Sequence, residues 1–442
     1  MRIIEYTLGI APFRRGGLPR YSTDLADELA KNNDVYVLYP GKSTLINSDD
    51  LQIIERSCTH KFRLFELVNP LPVSLGLGIH EARYFMSKRQ VNKAILWIKQ
   101  LKPDVIHMHT LMGLPIELLT EIKKLGIRVI YTTHDFYGLC PKMLSGDPIK
   151  ELHSRDCSYD CMLCKDGPSN RKLFIMQSHT YEKFKDSTLV KKIRKGQKNS
   201  LNNISEQMED LVSDKEATDR YTLRKYYQQM LLSIDRFHFN SLVSKNYIQK
   251  FFPNAKGNVL SITHSGLVDE RSSRSNSSDD KLKIGYVGPY DRKKGFFQYI
   301  ECLKALRNHH TNFEAYFYGD IATSEIFNES WVHNEGIHQE DEMRNIYKRM
   351  DLLVVPSLWH ETFGFVVLEA LLQGTPVLVS ENVGAQDLLN KDDIFSDTDG
   401  LFNKLEDILN DGTSMKLESV KRLELHYKIS DHAQKIINLF YK

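Results

Sequence analysis

Apolar positions along the chain follow two alternating rhythms. Short runs rich in β-branched and aromatic residues, at 3–8, 34–38, 105–108, 128–133, 237–240 and 259–263, predict strands. Between them, residues 18–31 set Tyr21, Leu25, Ala26 and Leu29 at helical spacing, and residues 115–125 repeat the pattern with Ile116, Leu118, Leu119 and Ile122. Alternation of this kind predicts a mostly parallel sheet with helices on both faces.

The polar stretch 271–280 (RSSRSNSSDD) has no apolar residue to anchor it and reads as a linker. Beyond it the rhythm restarts, with strands at 282–287, 313–318, 352–355 and 377–379 and helices at 296–306, 342–350 and 365–373. The chain thus reads as α/β, two Rossmann-like domains at 1–270 and 282–425 joined by 271–281, with no sequence repeat between the halves. Residues 165–235 are long and polar with helical stretches but no strand, which suggests an insertion in the first domain. Residues 426–442 hold a helix whose Ala433, Ile436, Ile437 and Phe440 could pack back on that domain.

With 442 residues, 41% of them apolar and 26% charged, the chain can bury large cores. Fifty-nine Lys plus Arg against fifty-seven Asp plus Glu leave a net charge of +2, so no global field favours nucleic acid, and none is expected as a partner. No apolar run nears the roughly 18 residues of a membrane span, and the apolar start carries Glu5 and no small-residue cleavage site. Six cysteines in so long a chain are no disulfide framework, and the cytoplasm is the expected compartment.

Open α/β sheets bind ligands beyond the carboxyl ends of their strands, and four such places stand out. After the first strand, Gly16 and Gly17 precede a helix, where bare backbone lets a ligand approach the first amides; an ordinary tight turn is the competing reading. After residue 287, Gly288 to Gly295 brackets Arg292, Lys293 and Lys294, which suits a diphosphate as well as it suits a solvated basic loop. After residue 355, the loop and helix of PSLWHETFGFVVLE carry Glu361, Gly364 and Glu369. If helical throughout, the two glutamates would stand about 12 Å apart, too far to share one water, so they would grip different parts of an extended ligand. After residue 133 come His134 and Asp135, and a histidine there can serve as base, donor or clamp, or be structural.

Cys140, Cys157, Cys161 and Cys164 form a further group that fits a structural zinc site as well as free thiols. Residues 397–399 (Asp-Thr-Asp) read as a turn rather than a metal motif. Neither half carries the G-x-G-x-x-G of a nicotinamide enzyme.

These motifs resemble the retaining glycosyltransferases of family 4. The similarity runs through the Gly16-Gly17 loop, PDVIHMHT, IRVIYTTHD, HSGLVD, VGPYDRKKG and, most specifically, the Glu361-x7-Glu369 segment with Phe363, Gly364 and Phe365 between. The resemblance implies a GT-B fold, two Rossmann-like domains facing each other across a cleft. It implies that Glu369 binds the ribose of a nucleotide-sugar, Glu361 lies beside the donor sugar, and backbone around Phe363, Gly364 and Phe365 holds sugar or phosphate. Lys294 would neutralise the departing diphosphate, Arg292 could assist, Gly16 and Gly17 would approach it, and His134 would sit near the reacting carbon. The family's usual arginine after the glycine is Pro289 here. The cysteine loop after HDFYGLCP resembles enzymes that build surface polysaccharides.

Expected from this likeness are a nucleotide-sugar donor, UDP-linked, a glycan or lipid-linked acceptor, and no catalytic metal. A non-catalytic partner of the same fold, with Pro289 marking lost activity, is the alternative. Residues 171–198 bring nine cations against Glu182 and Asp186, interleaved with apolar side chains, and could dock on an anionic membrane surface or form a solvated insertion.

Overall fold

The computed structural model describes residues 1–14, 16–44, 49–74, 79, 81–139, 175, 213–274, 281–319, 324–411 and 420–442. Two compact units emerge. The first comprises Met1–Asn240, Lys245–His264 and Ile429–Lys442, and the second Ser241–Ser244 and Ser265–Lys428.

The sheet of the first unit is built from β1 (Arg2–Tyr6), β2 (Asp34–Pro40), β3 (Gln52–Arg56), β4 (Arg63–Val68), β5 (Val105–Met108), β6 (Arg128–Thr132), β7 (Arg236–Phe239) and β8 (Gly257–Val259). Among the described residues these lie in the order β3-β4-β2-β1-β5-β6-β7-β8, parallel except for the antiparallel β3–β4 pair. Helices α1 (Gly17–Leu29), α2 (Asn92–Leu101), α3 (Ile116–Lys124), α4 (Asp214–Leu232) and α5 (Leu242–Phe251) lie between strands in the chain, as crossovers joining parallel strands do. Strands β1, β5 and β6 are buried apart from Arg2 and Arg128 at the starts of β1 and β6, as a sheet covered on both faces demands.

The second unit carries β9 (Leu282–Gly288), β10 (Phe313–Gly319), β11 (Val332–Gly336), β12 (Leu352–Val355), β13 (Val377–Ser380) and β14 (Ile394–Phe395), in the order β11-β10-β9-β12-β13-β14 and all parallel. Its helices are α6 (Phe296–Arg307), α7 (Met343–Arg349), α8 (Phe365–Leu372) and α9 (Thr398–Asp411). Tyr286, Phe296, Tyr299, Phe313 and Phe317 fill its core. The last helix, α10 (Ile429–Ile436), passes into a π-helical turn at Ile437–Tyr441 and groups with the first unit.

Several elements differ from the sequence reading. Strands β3, β4, β11 and β14 and helices α2, α5 and α9 are absent from the sequence reading. β3 is a polar, half-exposed edge strand, and β14 is two residues long, so neither shows a clear apolar rhythm. The strand expected at 259–263 is instead β8, shifted towards the N-terminus. Its register pairs Gly257 with Phe237, and a Cβ on that glycine would stand 2.0 Å from the Phe237 carbonyl oxygen. A glycine that reads as a breaker is what lets this edge strand close.

Residues 397–399 are the start of α9 rather than a free turn: Asp397 Oδ1 accepts the Gly400 amide at 2.7 Å, as a helix cap does. The described part of the expected linker is anchored through arginine instead of apolar packing. Arg271 donates to Asp269 and to the carbonyls of Val420 and Leu423, and Arg274 donates to the Tyr347 carbonyl and Thr375. Of the expected insertion, Asp214–Leu232 form α4, opened by a reciprocal Ser213–Glu216 capping box. Cys140, Cys157, Cys161 and Cys164, and residues 171–198 apart from the helical Ile175, lie outside the described residues.

Candidate functional site

Strand order changes direction between β1 and β5 in one sheet and between β9 and β12 in the other. Such switch points open a crevice at the carboxyl ends of the strands, because the crossovers there leave to opposite sides. The sequence motifs fall at these two places.

In the second unit, the loop after β9 and the loop after β12 are zipped together by backbone. The Lys293 carbonyl accepts the amides of Leu358 and Trp359, each at 3.0 Å, and Gly295, at φ 71°, leaves no room for a Cβ against the Pro356 carbonyl, 1.8 Å away. Gly295 then starts α6 and Gly364, at φ 99°, starts α8. Both helix starts therefore emerge from left-handed glycines, a conformation other residues adopt only under strain. The Lys294 ammonium lies 2.9 Å from Glu361 Oε1 in an ion pair whose atoms are close but not aligned as a hydrogen bond. Glu361 is held from both sides, its amide donating to the Asn382 carbonyl at 2.8 Å and its carbonyl accepting from Gly384 at 2.9 Å.

Glu369 sits inside α8, so the eight residues from Glu361 are not helical throughout; the helix begins only at Phe365. The Tyr347 hydroxyl donates to Glu369 Oε2 at 2.8 Å, which orients the carboxylate from a buried phenol. Phe363 is buried and its carbonyl accepts the Ala385 amide at 2.7 Å, while Phe365 packs edge-on against it with ring centroids 5.4 Å apart. Arg292 is exposed, as is Pro289. The second unit thus brings Lys294, Glu361, Gly364 and Phe363 to one place and sets Glu369 one turn along α8.

In the first unit, Gly16 (φ 127°) and Gly17 open α1, and Gly16 stands just before the first helical residue. His134 follows β6, one strand from His109 at the end of β5 and two from Glu5 in β1. His109 Nδ1 is 3.1 Å from His134 Nε2, and His109 Nε2 is 2.6 Å from Glu5 Oε2. The Tyr441 hydroxyl donates to Glu5 Oε1 at 2.8 Å and contacts His107 Nδ1 at 2.7 Å. Tyr21 from α1 bonds His432 at 2.8 Å and lays its ring 4.9 Å from that of His134.

Glu5, His107 and His109 are wholly buried. Burial alone would raise the Glu5 carboxyl, but the charge and hydrogen bonds of His107 and His109 outweigh it and hold it at about 2. Burial, then His107, pushes His109 down to about 4, and burial with the surrounding histidines pushes His134 down as well. Asp135 is raised by burial to about 6. The ligand atoms of Glu5, His107 and His109 lie within 4.8 Å of one another, a spacing a metal could use, yet each of the three residues is already engaged in hydrogen bonds of 2.6–2.8 Å. The group is a proton-sharing cluster.

This cluster was missed in the sequence, where only His134 was singled out. Its signal was present: a charge at Glu5 inside an apolar strand, and His107 and His109 two apart on one face of another. Tyr347, and the segment after β13 that holds Glu361, carried no such mark.

Two family models match. "Glycosyl transferases group 1" covers residues 268–424, and "Glycosyltransferase Family 4" covers residues 15–155. The chain is 24% identical over 294 residues to an uncharacterized 42.6 kDa protein in the cps region of Klebsiella pneumoniae, a match over 66% of this chain and 61% of that protein. It is 26% identical over 129 residues to the lipopolysaccharide 1,2-N-acetylglucosaminetransferase of Salmonella typhimurium, over 26% of this chain and 34% of that one. Each match thus spans less than two thirds of the relative's length. Among solved structures, an α,α-trehalose-phosphate synthase (UDP-forming) from Burkholderia xenovorans aligns with TM-score 0.57 at 11% identity, covering 99% of both chains, which supports the fold. With both halves matched by glycosyltransferase models and two parallel-sheet α/β units of the GT-B kind, the chain belongs to glycosyltransferase family 4.

Proposed function

We propose that this glycosyltransferase moves a sugar, with retention of configuration and without a catalytic metal, from a UDP-sugar to a glycan or lipid-linked acceptor in surface-polysaccharide synthesis. The observation that carries the reading is the Lys294–Glu361 pair, 2.9 Å apart between two glycine-started helices at the β9/β12 switch. A nucleoside diphosphate leaves with growing negative charge. A fixed ammonium and helix-start amides stabilise that charge more in the transition state than in the ground state, which is what lowers a barrier. Lys294 supplies the ammonium, with the exposed Arg292 as an auxiliary cation. Glu369, oriented by Tyr347, accepts the ribose hydroxyls. Glu361 meets the donor sugar, and His134, Gly16 and Gly17 of the first unit keep the roles that the family resemblance implies for them.

Family membership and the polysaccharide-cluster relatives support the substrate class, and the UDP-forming structural neighbour supports UDP. No helix among the described residues is long and apolar enough to cross a membrane; a cytoplasmic, membrane-peripheral enzyme fits a lipid-linked acceptor. The cysteine group, as a structural zinc site, belongs to the same proposal. The deciding experiment is a thermal-shift screen of nucleoside diphosphates followed by donor hydrolysis. UDP should raise the melting temperature and its sugars should turn over; a protein indifferent to every nucleoside diphosphate and inert towards their sugars would overturn the reading.

A further inference from the structure

The Lys294 ammonium stands at the end of a flexible four-carbon stem, and a cation lowers a barrier only when it is held in place before the charge it meets develops. What holds it starts in the loop after β9. The Pro289 carbonyl accepts the Tyr286 hydroxyl at 2.7 Å and the Asp291 amide at 3.0 Å, so the residue that replaces the expected arginine anchors this loop through its backbone. Asp291 then turns back on the segment ahead of it. Its Oδ1 accepts the Lys294 amide at 2.9 Å, and its carbonyl accepts the Phe296 amide at 3.3 Å.

The peptide group between Lys293 and Lys294 is therefore held at both ends. Its oxygen accepts the amides of Leu358 and Trp359, each at 3.0 Å, and the Ser357 hydroxyl at 3.2 Å, while its N–H donates to Asp291. A peptide group is planar, so fixing both ends fixes the direction in which the Lys294 stem leaves the backbone. Among the described residues, the side chains that bond or pair with Lys294 are Asp291 at its amide and Glu361 at its ammonium, 2.9 Å away.

The Lys294 amide lies ahead of α6, where no helical carbonyl serves it, and a short carboxyl side chain at a turn is well suited to accept it. A negative charge here would oppose a diphosphate, so the loop uses Asp291 for its oxygen rather than for its charge. We propose that Asp291 is a positioning residue for sugar transfer: by accepting the Lys294 amide it locks the peptide plane between Lys293 and Lys294 and aims the Lys294 ammonium at the departing diphosphate. This rests on the role proposed above for Lys294.

The test is steady-state kinetics of the full chain with UDP-glucose, or whichever UDP-sugar the wild type hydrolyses faster, in a double-mutant cycle with Lys294→Ala. Asp291→Ala should lower turnover about tenfold, one hydrogen bond's worth, with a smaller change in donor Michaelis constant. Asp291→Asn should rescue turnover, because its side-chain carbonyl still accepts the Lys294 amide. Asp291→Glu keeps the charge but displaces the oxygen by a methylene, and should fall with Asp291→Ala. Beside Lys294→Ala, Asp291→Ala should cost nothing further, since the group it aims is gone. Wild-type turnover in Asp291→Ala overturns the proposal. So does a tenfold loss that persists beside Lys294→Ala, which marks a general effect on the loop, and so does Asp291→Glu outperforming Asp291→Asn, which marks a role for charge. Should Asp291→Ala not fold, the order of Asp291→Asn and Asp291→Glu decides. Wild-type turnover in Lys294→Ala alone would instead overturn the reading of Lys294, and with it the aim assigned to Asp291.

Discussion

The hydroxyl of Tyr441 donates to Oε1 of Glu5 at 2.8 Å, joining residues 436 positions apart at the two ends of the chain. The contact matters because a wholly buried carboxylate is tolerated only with partners, and its partners hold it at about 2. A folded-state value below the unfolded one contributes stability present above about pH 4.5 and lost as pH falls towards 2. The melting temperature of the wild type relative to Glu5→Gln should therefore decline across that window in a calorimetric pH series. Asp135 has the opposite sign. Raised from 3.8 to about 6, its contribution is present at low pH and lost as pH rises through 6, so Asp135→Asn should gain on the wild type over that interval.

Lys294→Ala should lower turnover on the order of 100-fold with a smaller change in donor Michaelis constant, since one preorganised donor to a developing anion is removed. Glu361→Ala should likewise act chiefly on turnover. Steady-state kinetics with varied donor checks both; wild-type turnover in Lys294→Ala would show that the diphosphate is held elsewhere.

Glu369→Ala should raise the donor Michaelis constant on the order of 100-fold, because ribose contacts are equal in ground and transition states. Tyr347→Phe removes only the hydroxyl that orients Oε2, at 2.8 Å, and should raise it by about 3- to 10-fold with turnover little changed. Equal effects of both on turnover would contradict the ribose assignment.

If Cys140, Cys157, Cys161 and Cys164 bind zinc, elemental analysis of protein purified without chelator should find about one zinc per chain, and chelation should lower thermal stability. A metal-free preparation that is folded and active would leave them as thiols.

The cations among residues 171–198 should carry the protein to anionic liposomes in co-sedimentation, at about 1 kcal/mol each near the surface. Changing Lys191, Lys192, Arg194 and Lys195 to Gln should weaken that binding. Binding indifferent both to these changes and to the anionic lipid fraction would reject the electrostatic anchor.

What the sequence determined by itself was local. Apolar rhythm marked the inner strands β1, β5, β9 and β12, because a strand covered on both faces must be largely apolar, with buried exceptions such as Glu5 and His107 held by partners. The segment from Glu361 to Glu369 was readable as loop, glycine and helix because Gly364, Phe365 and the apolar positions of α8 all act within a few residues. The same logic failed at the edges, where β3 and β8 are held by pairing more than by burial. Only the tertiary structure decided which strands became neighbours, since the crossovers that set β5 beside β1 and β12 beside β9 are long-range choices. That adjacency brings Lys294 to Glu361 and joins Glu5, His107, His109 and His134 through hydrogen bonds. A hydrogen-bond partner is set by distance across the sheet, and along the chain nothing ties Tyr441 to Glu5 until the last helix packs on the first unit.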